Sequence, residues 1–198
     1  MTEGWRRGCY SVEAVRARAR GVLPRPIFDF VDGGAEDEWT LRRNETVFEE
    51  IGLRPRPLNG AAQRDLSVKL FGQKLSMPVM IGPTGLAGLM WPEGEQAAAR
   101  AAASAGTAYC LSHGSVCKLE DIPRVGANPS WMQVFIYRDR GFTEELANRA
   151  AASGYDALVL TTDNQMLGNR ERDVRNGFSI PPKFKLLDML AMAGKLPW

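Results

Sequence analysis

Four groups of small, polar or charged residues follow short apolar runs, and their chemistry suits a flat polar ring with an anion beside it. Gly82-Pro83-Thr84-Gly85 follows Pro78-Val79-Met80-Ile81. Leu111-Ser112-His113-Gly114 ends a run from Thr107, and Gln133 and Phe135 lie within Trp131 to Tyr137. Thr161-Thr162-Asp163 ends a run from Asp156, and Arg170 comes shortly after. Glycines let backbone approach a ligand closely. The hydroxyls of Ser112 and Thr161 and the amide of Gln133, on rigid strand ends, can bond ring nitrogens and carbonyls. Arg170 can hold a carboxylate through two charge-assisted bonds. Singly, each signal has an ordinary explanation. Ser112 and Thr161 are residues of the kind that end strands, and Arg170 lies in the charge run Asn169-Arg170-Glu171-Arg172-Asp173.

The elements that must position these groups follow from periodicity. Ser11 is a plausible helix N-cap before Glu13 and an Arg/Ala-rich stretch to Arg20. Pro24 and Pro26 interrupt it, a second helix starts near Ile27 and runs to Gly33-Gly34, and 35–44 resumes helical spacing. From Leu53 to Leu75 the pattern changes, and Ser67-Val68-Lys69-Leu70-Phe71 predicts short strands in a hairpin. Four apolar runs then alternate with helices over Glu93 to Ala105, Val116 to Val125 and Thr143 to Ser153, the first and last closed by Gly106 and Gly154. This alternation implies βαβ units and a parallel sheet. Neither a GxGxxG nor a GxxxxGK[ST] follows a strand, which argues against a doubly wound nucleotide-binding fold. A (β/α)8 barrel, whose sites gather at the C-terminal strand ends, typically needs about 250 residues. Four strands would leave open edges, so part of a longer polypeptide is expected.

Composition bounds the remaining possibilities. The 198 residues are 44% hydrophobic and 24% charged, with a net charge of only +2 spread along the chain. That is an ordinary globular balance, and it lacks the basic patch of a nucleic-acid binder. Cys9, Cys110 and Cys117 form no CxxC pair, and a sparse, odd count suits a reducing compartment. The single histidine, His113, rules out a multi-histidine metal site within the chain, and no metal is expected. Met1 to Tyr10 carries Arg6 and Arg7 but no apolar core, so a secretory leader is not expected and the cytoplasm is the default location.

Many spaced segments carry a family resemblance. They are Phe28-Asp29-Phe30, Gly33 to Leu41, Met77 to Gly85, Pro92-Glu93-Gly94-Glu95, Leu160 to Asp163, Leu167 to Glu171 and Asn176 to Pro182. In this order the chain resembles the FMN-dependent 2-hydroxy-acid dehydrogenases and oxidases from about Tyr10 to Pro182. Glycolate oxidase, L-lactate dehydrogenase and oxidase, and (S)-mandelate dehydrogenase belong to that family. Gly82-Pro83-Thr84-Gly85 is most similar to the mandelate dehydrogenase branch.

The resemblance implies an α/β fold, a (β/α)8 TIM barrel of which this chain supplies the N-terminal helices and roughly four strands. Residues 1–76 would form helices and a hairpin capping the barrel, 77–182 its first half, and 183–198 the start of a variable loop. The cofactor implied is FMN, with Pro83, Thr84 and Gly85 lining it and Ser112, Gln133 and Thr161 bonding its ring. Phe30, Phe135 and Arg170 would contact a small 2-hydroxy acid, mandelate- or lactate-like, and Asp163 would be a polar partner near the site. Electrons would pass to a quinone-type acceptor or O2, and glycine at Gly85 leans away from O2. The general-base histidine is expected in the absent second half, which leaves His113 as a strand-end residue near the site.

Two departures stand out. The family usually has tyrosine at Phe30 and at Phe135, so two substrate hydrogen bonds are missing, each worth roughly 0.5–1.5 kcal/mol. With the small Gly114, this implies an apolar, roomier pocket for an aromatic or bulkier acid. It also keeps open a degenerate, non-catalytic flavin-binding protein. An unrelated phosphate-binding barrel such as an aldolase is the third alternative, and no strand-end lysine supports it. By family habit a tetramer is expected. The stretch 183–198, apolar with Lys183, Lys185 and Lys195, reads as an interfacial segment touching the inner face of a membrane or as a mobile active-site loop.

Overall fold

The computed structural model describes residues 8–58, 63–126, 129–164 and 166–180. The predicted interfacial segment at 183–198 lies outside them, as do Pro181 and Pro182. In chain order the helices and strands are α1 (Val12–Val22), α2 (Arg25–Asp32), α3 (Trp39–Thr46), β1 (Val68–Leu70), β2 (Gln73–Leu75), α4 (Ala87–Met90), α5 (Gly94–Ser104), β3 (Tyr109–Leu111), α6 (Asp121–Arg124), β4 (Ser130–Val134), α7 (Arg140–Ala152), β5 (Ala157–Leu160) and α8 (Glu171–Asn176). They fall into two compact units, Met1–Arg56 with Met166–Trp198, and Pro57–Gln165. The hairpin therefore groups with the strands, and the run around Arg170 groups with the first helices.

In the first unit Ser11 caps α1, its hydroxyl accepting from the Ala14 N–H at 3.1 Å. The second helix begins at Arg25 rather than near Ile27. Pro26 sits in its first turn, where no N–H is needed. The two elements joined most tightly here are far apart in sequence. Arg172 of α8 bonds Asp32 at 3.0 Å, Asn176 bonds Asp29 at 2.8 Å, and the Phe30 ring stacks on Phe178 at 4.7 Å.

The second unit holds the predicted parallel sheet. β3 pairs with β4, and β4 with β5, in register Tyr109↔Ser130 and Trp131↔Ala157. The apolar runs are continuous because the middle strands are covered on both faces. Tyr109, Leu111, Met132 and Val134 pack with Ala99, Ile122, Leu146 and Ala150 of the flanking helices. Cys110 and Trp131 face the other way, onto Leu75 of the hairpin and Ala108. Both central residues of the hairpin turn, Phe71 and Gly72, have left-handed φ of 48° and 80°. That conformation matches the twist of the paired strands, and the Phe71 ring rests against Trp131 at 5.4 Å.

The run Pro78 to Ile81 is not a full strand. Only Ile81 bridges, its N–H donating to Ala108 O at 3.1 Å and its carbonyl accepting from Cys110 at 2.9 Å. Pro78 and Pro83 bracket it, and proline has no N–H for a ladder. α7 starts three residues before the predicted Thr143, because the Asp139 carboxylate caps it by accepting from the Phe142 N–H at 3.2 Å.

Candidate active site

Gln133 is the centre of the site in the second unit. It lies on β4, is 4% exposed, and spans the tips of three adjacent strands. Its amide nitrogen donates to the Thr161 hydroxyl, just past β5, at 2.9 Å. Its amide oxygen accepts from the His113 N–H at 3.2 Å and from the Ser112 hydroxyl at 3.5 Å, both just past β3. The His113 ring nitrogen Nδ1 stands 3.0 Å from the same oxygen, which makes Nδ1 the donor there. Parallel pairing sets this belt, since β3 ends opposite Met132 and β5 ends opposite Val134, which places Gln133 between the two strand ends.

A loop closes over one end of the belt. The Leu86 N–H donates to Gly114 O at 3.0 Å, and the Gly114 N–H donates to the Ser112 hydroxyl at 3.1 Å. A Cβ built on Gly85 would stand 3.5 Å from Gly114 O and 3.7 Å from Ser112 Oγ, so the loop backbone lies one van der Waals layer from the belt. Pro83 and Thr84 are exposed on the same loop. Phe135 packs edge-on to His113 at 4.4 Å, and Tyr137 to the same imidazole at 5.8 Å. Asp163 lies on an exposed bend after β5.

The predicted anion-binding groups belong to the first unit. Arg170 donates from Nε to Asp173 at 2.6 Å and from Nη2 to the Phe30 carbonyl, and its guanidinium lies over the Phe30 ring at 5.3 Å. None of these bonds uses Nη1, so the outer edge of the fork keeps hydrogens for a carboxylate. Behind it, Asp32 takes both Arg16 and Arg172, and Arg172 reaches Glu38 at 2.6 Å. The Arg16 hydrogen bond, with Arg172 adding to it against the cost of burial, holds the Asp32 carboxyl below its usual range.

Asp173 and Phe178, which orient Arg170 and Phe30, were not singled out from sequence. The three-residue spacing of Arg170 and Asp173 at a helix start was the available signal for one of them. Nothing local signalled the other.

Residues 19–198 match the sequence profile of the FMN-dependent dehydrogenases. The chain belongs to that family. It is 39% identical over 187 residues to glycolate oxidase 1 of Oryza sativa subsp. indica, an alignment covering 92% of this chain and 51% of the relative. It is 45% identical over 180 residues to an L-lactate oxidase of Nostoc sp., covering 89% and 49%. The structure of the monotopic membrane protein (S)-mandelate dehydrogenase superposes with a TM-score of 0.86 at 36% identity, covering 96% of this chain and 50% of that one. The chain thus spans about half the length of the curated relatives it matches. As an FMN-dependent dehydrogenase chain it has a donor set that fits the cofactor. Uncharged hydroxyls and an amide match the alternating acceptors and donors of the ring edge, and a side chain at Gly85 would meet the Gly114 carbonyl and the Ser112 hydroxyl beside them.

Proposed function

We propose that the protein containing this chain oxidises a 2-hydroxy acid to the 2-oxo acid with FMN. Its two halves would complete a (β/α)8 barrel, with the belt at the C-terminal strand ends where such barrels place their sites. The observation that carries the reading is the Ser112–Gln133–Thr161 belt, built in a chain whose family is FMN-dependent. FMN supplies the two-electron acceptor, and a quinone-type molecule or O2 takes the electrons onward.

The chain's residues divide the remaining work. Ser112, Gln133 and Thr161 hold the polar edge of the ring, while Pro83, Thr84 and Gly85 lie along it. Arg170 holds the substrate carboxylate by its outer guanidinium edge. Phe30 and Phe135 give apolar walls without hydroxyls, which favours an aromatic, mandelate-like acid over glycolate. Asp163 adds a polar group near the site. By resemblance to its family, the base that takes the substrate proton is assigned to the remainder of the longer protein, and His113 is read as a strand-end residue bonded to Gln133. Contact of 183–198 with an anionic membrane surface and a tetrameric assembly are parts of the same reading.

The test uses the protein from its complete reading frame. Its visible spectrum is recorded, and mandelate, lactate and glycolate are added anaerobically. A flavin spectrum that bleaches, fastest with mandelate, is expected. A flavin spectrum that no 2-hydroxy acid bleaches would leave a binding protein, and a colourless protein would remove the flavin reading altogether. Retention on anionic liposomes at low salt tests the membrane contact. Full recovery in the supernatant rejects it.

A further inference from the structure

Glu95 lies in the first turn of α5, where a carboxylate is expected at the surface, yet none of it is exposed. No arginine or lysine pairs with it among the described residues. One oxygen accepts from the Val116 N–H at 3.1 Å, and the other is buried without a partner. A Cβ built on Gly88 would come within 2.9 Å of that second oxygen and within 2.2 Å of Val116 Cγ2. Burial first, and then the Glu95 charge, push the Tyr109 phenol and the Cys117 thiol up, so these groups surround the same carboxylate. Burying an unpaired carboxylate is costly, and its position shows what it holds.

Gly88 and Val116 adjoin the two loops that form the belt's edge. Gly88 lies in α4, which continues from the Gly82 to Leu86 loop. Val116 follows Gly114, the residue that bonds both Leu86 and the Ser112 hydroxyl. Glu95 therefore stands directly behind the joint between these loops. We infer that Glu95 is a positioning residue for the cofactor: through Val116 and Gly88 it sets where the Ser112 hydroxyl and the Gly85 backbone stand, without touching the ring. This rests on the FMN reading above.

The experiment uses the full-length protein and compares Glu95→Gln, which keeps an acceptor at the same reach, with Glu95→Asp, which keeps the charge but shortens the side chain. FMN affinity and the bound flavin spectrum are measured well below each variant's melting temperature. Glu95→Asp is expected to weaken FMN binding about tenfold, the equivalent of one buried hydrogen bond, and to alter the visible band. Glu95→Gln is expected to match the unsubstituted protein in both. Variants that melt earlier but bind FMN with unchanged affinity and spectrum overturn the inference and leave the functional reading intact. An unsubstituted protein that binds no FMN overturns both. Should the variants fail to fold, amide exchange in the unsubstituted apoprotein decides. The Val116 N–H is expected to exchange slowly, and fast exchange overturns the inference.

Discussion

β4 and β5 are adjacent strands of one sheet with opposite surroundings. All five residues of β4 are buried, whereas β5 alternates, with Leu158 and Leu160 each 49% exposed. β4 has a hydrogen-bonded neighbour on both sides. Among the described residues β5 has one, β4 itself. The polar belt is anchored on the strand that is closed on every side and ends on the strand that is open. Rigidity for Gln133 thus comes from within this chain, whereas Thr161 sits where a further strand would pair.

The contrast can be broken most severely at Met132, which is 2% exposed. Met132→Ala should cost about 2–5 kcal/mol in urea unfolding, the range for truncating a core side chain. A loss under about 1 kcal/mol would show that β4 is not the closed strand. Gln133→Leu keeps the bulk and removes the belt, leaving the Thr161 hydroxyl and the His113 N–H without their partner. A stability loss of about 2 kcal/mol is expected, with FMN affinity of the full-length protein down at least about tenfold. Retained flavin binding would mean that the belt is structural only.

The first unit sharpens the comparison through pH. The folded Asp32 carboxyl is held below its ordinary value, so its contribution is present above the unfolded value near ~3.9. It is lost as pH falls through the lower, folded value. Thermal melts of Asp32→Asn should show about 1 kcal/mol less stability at pH 7, after allowance for solvent screening, and a shallower fall below about pH 4. Parallel acid limbs for the two proteins would count against the ion-pair account. The smallest effect is expected at the open strand, where Leu160→Ala should cost less than about 1 kcal/mol in the 198-residue chain. In a longer polypeptide that pairs β5, the same change should cost more, and equal costs would argue against pairing there.

Much of this was legible in the sequence because it is local. The helix capped by Ser11, the alternation of apolar runs with alanine-rich helices, and Ser112 and Thr161 at strand ends all follow from periodicity and turn chemistry. The run Pro78 to Ile81 reads as a strand in the sequence, since four apolar residues look alike whether or not prolines leave a ladder to join. The run around Arg170 was ambiguous because its partners, Asp32 and the Phe30 carbonyl, lie 140 residues away. Glu95 stands in the motif Pro92-Glu93-Gly94-Glu95, but its burial has no local signal, since a glutamate in a first helical turn looks solvated.

If Arg170 holds a carboxylate as proposed, its bracing has a consequence for how that anion is captured. A free arginine side chain surrenders up to about 2 kcal/mol of rotamer entropy when it is immobilised. Here Asp173 and the Phe30 carbonyl have already frozen that freedom, so little of it is left to lose on ligation. Carboxylate binding should then be preorganised and favourable in enthalpy, and it should select for the direction of approach more than for charge alone.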